Sequence, residues 1–316
     1  MSDQPGLLRE GFHRVWHYQR VLWFIFFISL VLGHFGASPA IHKLEGATDH
    51  SLHARRLSDM FDEGTFSALS SDPEVKLFEA AGTSVSFSLV FFVGMLFLTG
   101  GILEAYRSGR RLTTREFFEA CGAYFWRWVR LLVLMLIVLI PVIIAFHAIV
   151  RKAGSLMTNA AQERSGFWLL VAAIGIAGLL LMCIRLWFDM AQVRAVVEEE
   201  TGMWRNAGRA FKLTFSNFAS LFWMYFRISF LGWLIFAAGL YAWARMPPAR
   251  FGWTFLFLEL VILFGFGVRL WQRACEMIWY QRRYLAQVSV PVQVPVAPPP
   301  SPLLTISPPP SEGGAP

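Results

Sequence analysis

The chain has 316 residues, 56% of them hydrophobic and 16% charged, with a mean hydropathy of +0.49. Soluble domains run at roughly 45–50% apolar and about 25% charged, so an ordinary soluble enzyme is excluded. Disorder over most of the length is excluded too, and 3 Cys are too few for a secreted disulfide scaffold.

Six stretches reach the roughly 20 apolar residues that a helix needs to cross about 30 Å of hydrocarbon. They are about 20–38, 84–105, 129–150, 167–188, 218–243 and 252–274. The first is solid from Val21 to Gly33 and is expected to end at His34, Gly36 and Pro39. Arg9, Arg14 and Arg20 precede it, as they would a signal peptide. The polar lead is long for one and the stretch is rich in Phe and Trp, so it reads as an uncleaved anchor. The expected fold class is therefore all-α and membrane-integral, with a membrane domain over 1–286 and a tail over 287–316.

Lysine and arginine set the orientation. Eighteen lie before span one, between spans two and three, between four and five, and after span six; nine lie on the other side. Both termini are thus expected in the cytoplasm. The loop at 39–83 falls outside and is acidic, and the three cysteines fall at or near cytoplasmic ends, where thiols stay reduced. The net charge of +7 needs no nucleic acid: a basic face against anionic headgroups on the cytoplasmic side accounts for it.

The cytoplasmic connections carry helical patterns. Before span one, Leu8, Phe12, Val15 and Trp16 recur among Arg9, His13, Arg14 and His17. Before span three, Phe117, Cys121, Tyr124, Phe125 and Trp128 recur, with Thr113 and Glu116 spaced as a capping box. Before span five, Trp204, Ala207, Phe211 and Phe215 oppose Arg205, Arg209 and Lys212. Each reads as an amphipathic helix in the headgroup plane, or as the first turns of the span that follows.

These patterns align. Phe12, Cys121 and Phe211 are followed four residues later by Trp16, Phe125 and Phe215. The even spans end on Ile102-Leu103-Glu104-Ala105, Trp187-Phe188-Asp189-Met190 and Trp271-Gln272-Arg273-Ala274. The spacing from Glu104 to Asp189 and from Asp189 to Arg273 is nearly equal. Three tandem units are expected, each an interfacial helix plus a two-span hairpin in parallel orientation. The run Asp189-Met-Ala-Gln-Val-Arg194-Ala-Val-Val-Glu198, with Ala207, Arg209-Ala210-Phe211 and Asn217, resembles a pattern in uncharacterised bacterial six-helix inner-membrane proteins. It is similar to the membrane domain fused to some glycerophosphodiester phosphodiesterases. The resemblance covers about 180–220, implies an inner-membrane fold and carries no reaction with it, since the chain holds no soluble phosphodiesterase domain.

Residues 291–316 hold 10 of the 16 prolines, so the tail is expected to stay disordered or polyproline-like. It is a passive tail or a docking segment for a cytoplasmic partner. In the outer loop Asp72-Pro73-Glu74 has the form of a helix start. His42, Asp49, His50 and His53 match no metal template, and neither metal nor cofactor is expected.

Polar groups within hydrocarbon are costly and hence candidate sites. Glu259, His147 and His34 fall at depths where they could share one layer and bind a substrate or relay protons; alternatively, Glu259 is protonated or hydrogen-bonded to Tyr241 or a backbone carbonyl, and the histidines are interfacial. Arg227 enters span five from the cytoplasmic side and is expected to reach headgroups or Glu276. Glu104, Asp189, Arg185 and Arg273 are boundary charges, expected to brace the bends by ion pairs with Arg107, Arg185 or Arg130. Arg205, Arg209 and Lys212 face lipid headgroups. Phosphate-loop, zinc-hydrolase, nucleophile-elbow and Cys-x-x-Cys motifs are all missing. The reading is a non-enzymatic scaffold or accessory protein of the inner membrane. The alternatives are a transporter or channel around Glu259 and an integral membrane lipid enzyme.

Overall fold

The computed structural model describes residues 6–48, 64, 77–158, 163–245 and 251–288. These residues are almost wholly α-helical, with no strand among them. In chain order the described helices are α1 (Leu7–His17), α2 (Gln19–Thr48), α3 (Leu77–Ser108), α4 (Thr114–Met157), α5 (Glu163–Val197), α6 (Met203–Ser216), α7 (Phe218–Arg245) and α8 (Phe251–Val288). Six of them, α2 to α5, α7 and α8, are long and apolar enough to cross a membrane.

Several helices outrun the expected spans. α2 continues through Pro39 to Thr48, and α4 runs through Pro141. A helix break in hydrocarbon strands several backbone groups at once, whereas an internal proline strands one carbonyl, so the helix persists. Near Pro39, the Ser84 hydroxyl on α3 donates to the Gly36 carbonyl at 2.7 Å. Residues 39–48 and 77–83 of the expected loop are therefore helical. Asp72-Pro73-Glu74, Asp49, His50, His53 and all but the first two residues of the tail lie outside the described residues.

The three expected surface helices differ. α1 and α6 are separate, ending at Tyr18 and Asn217. At each break the side chain is committed elsewhere: the Tyr18 phenol donates to the Arg110 carbonyl at 2.8 Å, and the Asn217 amide turns back to the Leu213 carbonyl at 2.9 Å. The segment before span three is the start of α4 and is unbroken. Its capping box forms as expected: the Glu116 amide donates to the Thr113 hydroxyl at 3.3 Å, and the Thr113 amide to the Glu116 carboxylate at 2.8 Å.

Burial is concentrated at the arginine-rich end of the bundle. Leu103, Cys121, Trp128, Leu186, Met190, Leu221 and Cys275 pack there with at most 1% of their surface exposed. Farther along, Ile140, Ile144, Ile174, Trp233, Phe236 and Phe255 are exposed. Helices that are apolar on every side lose nothing by facing hydrocarbon, so only the end with polar side chains must close tightly.

Glycine permits that closure. A Cβ on Gly101 of α3 would stand 2.7 Å from both the Cys121 sulfur and the Phe117 ring of α4. α1 lies on α8, where the Trp271 indole donates to the Leu8 carbonyl at 2.8 Å and Gly11 sits against Cys275. α6 lies on α5, where the Trp187 indole donates to the Ala207 carbonyl at 2.8 Å and the Asn206 amide to the Ala191 carbonyl at 2.7 Å. The side of α6 that packs is Met203, Asn206, Ala207, Ala210 and Thr214. Trp204, Phe211 and Phe215, three of the four residues in the expected aromatic stripe, stay exposed.

Candidate functional site

Four polar side chains of α8 recur at helical spacing on one face: Arg269, Gln272, Arg273 and Glu276. That face meets α5, where Asp189 is buried. Arg269 donates to both Asp189 oxygens, at 2.8 and 2.9 Å, and Arg273 forms an ion pair with one of them at 2.9 Å. The fork of a guanidinium matches a carboxylate, which gives the pair direction as well as strength. Gln272 accepts from Arg269 at 3.0 Å and donates to the Ser229 hydroxyl of α7 at 3.0 Å. Glu276 is fully buried, 3.9 Å from an Arg273 nitrogen, and neither of its oxygens has a hydrogen-bond partner among the described residues.

On the span side of this cluster α3, α4, α5 and α8 diverge around a recess of about 520 Å³. Its walls are apolar, among them Leu96, Met135, Leu181 and Phe266; its floor is Arg185, Asp189, Gln192, Arg269 and Arg273, with Trp128 alongside. The Trp128 indole N–H, one Arg273 nitrogen and the Gln192 amide oxygen have no hydrogen-bond partner among the described residues. An apolar chamber with a charged floor suits an amphiphile.

A second set ties the helix ends together. Arg107 pairs with Glu104 at 3.0 Å and with Glu199 at 2.8 Å, and donates to the Val196 carbonyl at 3.2 Å. Glu198 accepts from the Arg194 Nε at 3.1 Å and from the Tyr280 hydroxyl. Burial pushes the Glu198 pKa up, but the bonds from Arg194 and Tyr280 outweigh it and hold the group below its ordinary value. The bond from Arg107 lowers Glu199 likewise. Beside them Arg194, Arg209, Lys212 and Arg283 edge a basic groove of about 380 Å³.

The expected boundary charges fall here. Glu104 pairs with Arg107 as anticipated. Asp189 takes Arg269 and Arg273 instead of Arg185 or Arg130, because α8 crosses α5 at that level. Arg185 forms no direct ion pair among the described residues and opens on the recess. Arg205, Arg209 and Lys212 are exposed on α6, with Arg209 bonded to Glu200 at 2.9 Å. Arg227 is exposed and lies over the Trp223 ring, 5.0 Å from its centroid. His34 on α2 and His147 on α4 are exposed, and Glu259 on α8 is half-buried. No hydrogen bond or ion pair joins these three among the described residues, and Glu259 does not line the recess. Tyr241 stacks under Arg245 at 4.8 Å.

Sequence reasoning missed the recess and the parts that Arg269, Gln192 and Trp128 play in it. A signal was present: Arg269, Gln272, Arg273 and Glu276 form a polar stripe at helical spacing within a span. Comparison of the chain with protein-family models, with curated proteins and with solved structures gave no match.

Proposed function

We propose that the chain is an integral protein of a bacterial inner membrane, with both termini cytoplasmic, that performs no chemistry of its own. It serves as a scaffold or accessory protein and engages anionic lipid through surface helices. The observation that carries this reading is the distribution of burial. The arginine-rich end is packed and ion-paired, while apolar side chains cover the exterior of every long helix. On α6 the exposed Trp204, Phe211 and Phe215 border the exposed Arg205, Arg209 and Lys212, and on α1 Phe12 and Trp16 are exposed beside Arg9 and His13. A helix docked by one face and presenting aromatic and basic residues elsewhere suits the headgroup zone.

The organisation we favour is three tandem units closed into a ring. In the repeat register Trp187 matches Trp271 and Ala207 matches Leu8, and the two indole bonds join these equivalent positions at the same 2.8 Å. Asn206 to Ala191 and Cys275 to Leu7 are likewise equivalent. Each even span thus holds the entry helix of the next unit, and α8 on α1 closes the cycle.

Photo-crosslinking groups placed at Trp16, Trp204 and Phe211 test the reading. Adducts with lipid are expected in membranes. A chain that stays in solution without detergent would overturn it. Solute flux into vesicles that is lost in Glu259→Gln would favour a transporter instead.

A further inference from the structure

We propose that the recess between α3, α4, α5 and α8 holds one anionic glycerophospholipid. Its phosphate lies against Arg185, Arg273 and the Trp128 indole, and an acyl chain lies along the apolar wall. The inference rests on the lipid-embedded reading and adds an internal, built site to it.

The first observation is charge. Three arginines and one aspartate line the recess, a net formal charge of +2; Glu276 behind Arg273 brings it to +1. Asp189 is spent on Arg269 and Arg273, so Arg185 has no direct counter-ion among the described residues. Arg185 is exposed and acts on Asp189 only through space, so an anion that meets it directly at the edge of the apolar chamber is favourable.

The second is the set of idle donors. Trp128 is fully buried and Arg273 is 9% exposed, yet the indole N–H and one Arg273 nitrogen have no hydrogen-bond partner among the described residues. A buried donor left unmade is unfavourable; the Arg273 nitrogen is the Nη1 that stands 3.9 Å from Glu276, so the indole is the donor that a phosphate oxygen would satisfy outright. Gln192 offers its free amide oxygen to a headgroup hydroxyl.

The third is depth and shape. Arg185 stands 22 residues from Glu163 at the far end of α5, about 33 Å along the helix, and Arg269 stands 18 residues from Phe251, about 27 Å. The floor is therefore about one hydrocarbon thickness from the opposite ends, where a phosphate would sit, and the walls extend back into the acyl region. Phe92 and Leu181 at the rim are exposed, so the chamber opens sideways onto the bundle exterior, the route a lipid would take.

The test uses the full chain in neutral detergent, titrated with phosphatidylglycerol, phosphatidylcholine or inorganic phosphate. Adducts are counted by native mass spectrometry and the unfolding midpoint is followed in parallel. Phosphatidylglycerol is expected to stay bound and raise the midpoint, phosphatidylcholine to bind more weakly and phosphate not at all. Arg185→Gln, which alters an exposed side chain, should weaken phosphatidylglycerol about tenfold or more, the worth of a charge-assisted bond. Met135→Trp, which fills the wall and keeps the arginines, should exclude it. Wild-type binding by both variants overturns the proposal. So does an equal midpoint shift from inorganic phosphate, which would make the floor a free-anion site. An alkaline wash of reconstituted vesicles keeps the two levels apart: a chain that stays with the bilayer while showing no preference among lipids fails the site alone, and one that washes off fails the membrane reading itself.

Discussion

Arg269 of α8 holds both oxygens of Asp189 on α5, 80 positions away in the chain, at 2.8 and 2.9 Å. The pair lies at the arginine-rich end of the bundle, on the floor of the recess, and Arg273 joins it at 2.9 Å. Removing the carboxylate leaves two largely buried arginines facing each other. Asp189→Ala is expected to destabilise the fold by about 3–5 kcal/mol, the usual cost of orphaning a buried charge. Arg269→Gln should cost less, because Arg273 still serves Asp189. Thermal unfolding in detergent checks both. A midpoint for Asp189→Ala equal to wild type would show that the pair does not hold α5 to α8.

The indole bonds of Trp187 and Trp271 give a matched pair of tests. Each N–H reaches a backbone carbonyl on a docked helix, Ala207 or Leu8. Phenylalanine keeps most of the ring and loses the donor. Trp187→Phe and Trp271→Phe are each expected to cost about 1 kcal/mol, the net worth of one hydrogen bond. If the two positions are equivalent, the losses should agree and should add in the double variant. Hydrogen exchange should rise in α6 for the first and in α1 for the second.

Much of this architecture was legible in the chain. The six apolar stretches are six helices, and the capping box at Thr113 and Glu116 forms as its spacing required. Those features depend on local composition alone. The ends of the helices were less legible, since Gly36 and Pro39 read as a stop, yet α2 continues through both to Thr48. The partner of Asp189 was illegible for another reason. Arg185, one turn before it, was the near candidate, but the choice between Arg185 and Arg269 depends on how α8 crosses α5, and no periodicity within one helix records a crossing. His34, His147 and Glu259 could be ranked by depth only; which helix faces bring them near one another is again a matter of packing.

Sidedness follows from the arginines and can be measured directly. In a Cys183→Ala background, with Cys121 and Cys275 buried, single cysteines replacing His50 or Pro300 are exposed to a membrane-impermeant thiol reagent in intact cells. Position 50 should label and position 300 should not until the cells are opened. Labelling of 300 and not 50 reverses the layout.

Glu198 makes stability depend on pH in one direction. Its pKa is held below the ordinary value of 4.5 by the bonds from Arg194 and Tyr280, which prevail over the opposing effect of burial. The unfolded chain therefore takes up this proton at a higher pH than the folded chain does. The stabilisation is fully present above about pH 4.5 and is lost as pH falls through the lower folded value. The midpoint gap between wild type and Glu198→Gln should stay level from about pH 7 to 5.5 and shrink below 4.5. A gap that widens on acidification would mean that burial prevails over the two bonds.

The glycines give the sharpest contrast between packing and propensity. Alanine is favoured over glycine in a helix by about 1 kcal/mol. At Gly208 of α6 a Cβ meets nothing within 4 Å, so Gly208→Ala should stabilise by up to that amount. At Gly11 of α1 the same Cβ would stand 2.3 Å from the Cys275 sulfur and 3.2 Å from the Trp271 ring. α1 must then lift from α8, and overpacking of this kind costs about 1–3 kcal/mol, enough to cancel or reverse the gain. Cys275→Ala removes the nearest atom and should rescue Gly11→Ala in part, more than it helps the wild-type chain. Unfolding midpoints of the four chains, with hydrogen exchange in α1, decide the matter. A stabilised Gly11→Ala chain with α1 still protected would mean that the α1–α8 contact is looser than 2.3 Å requires.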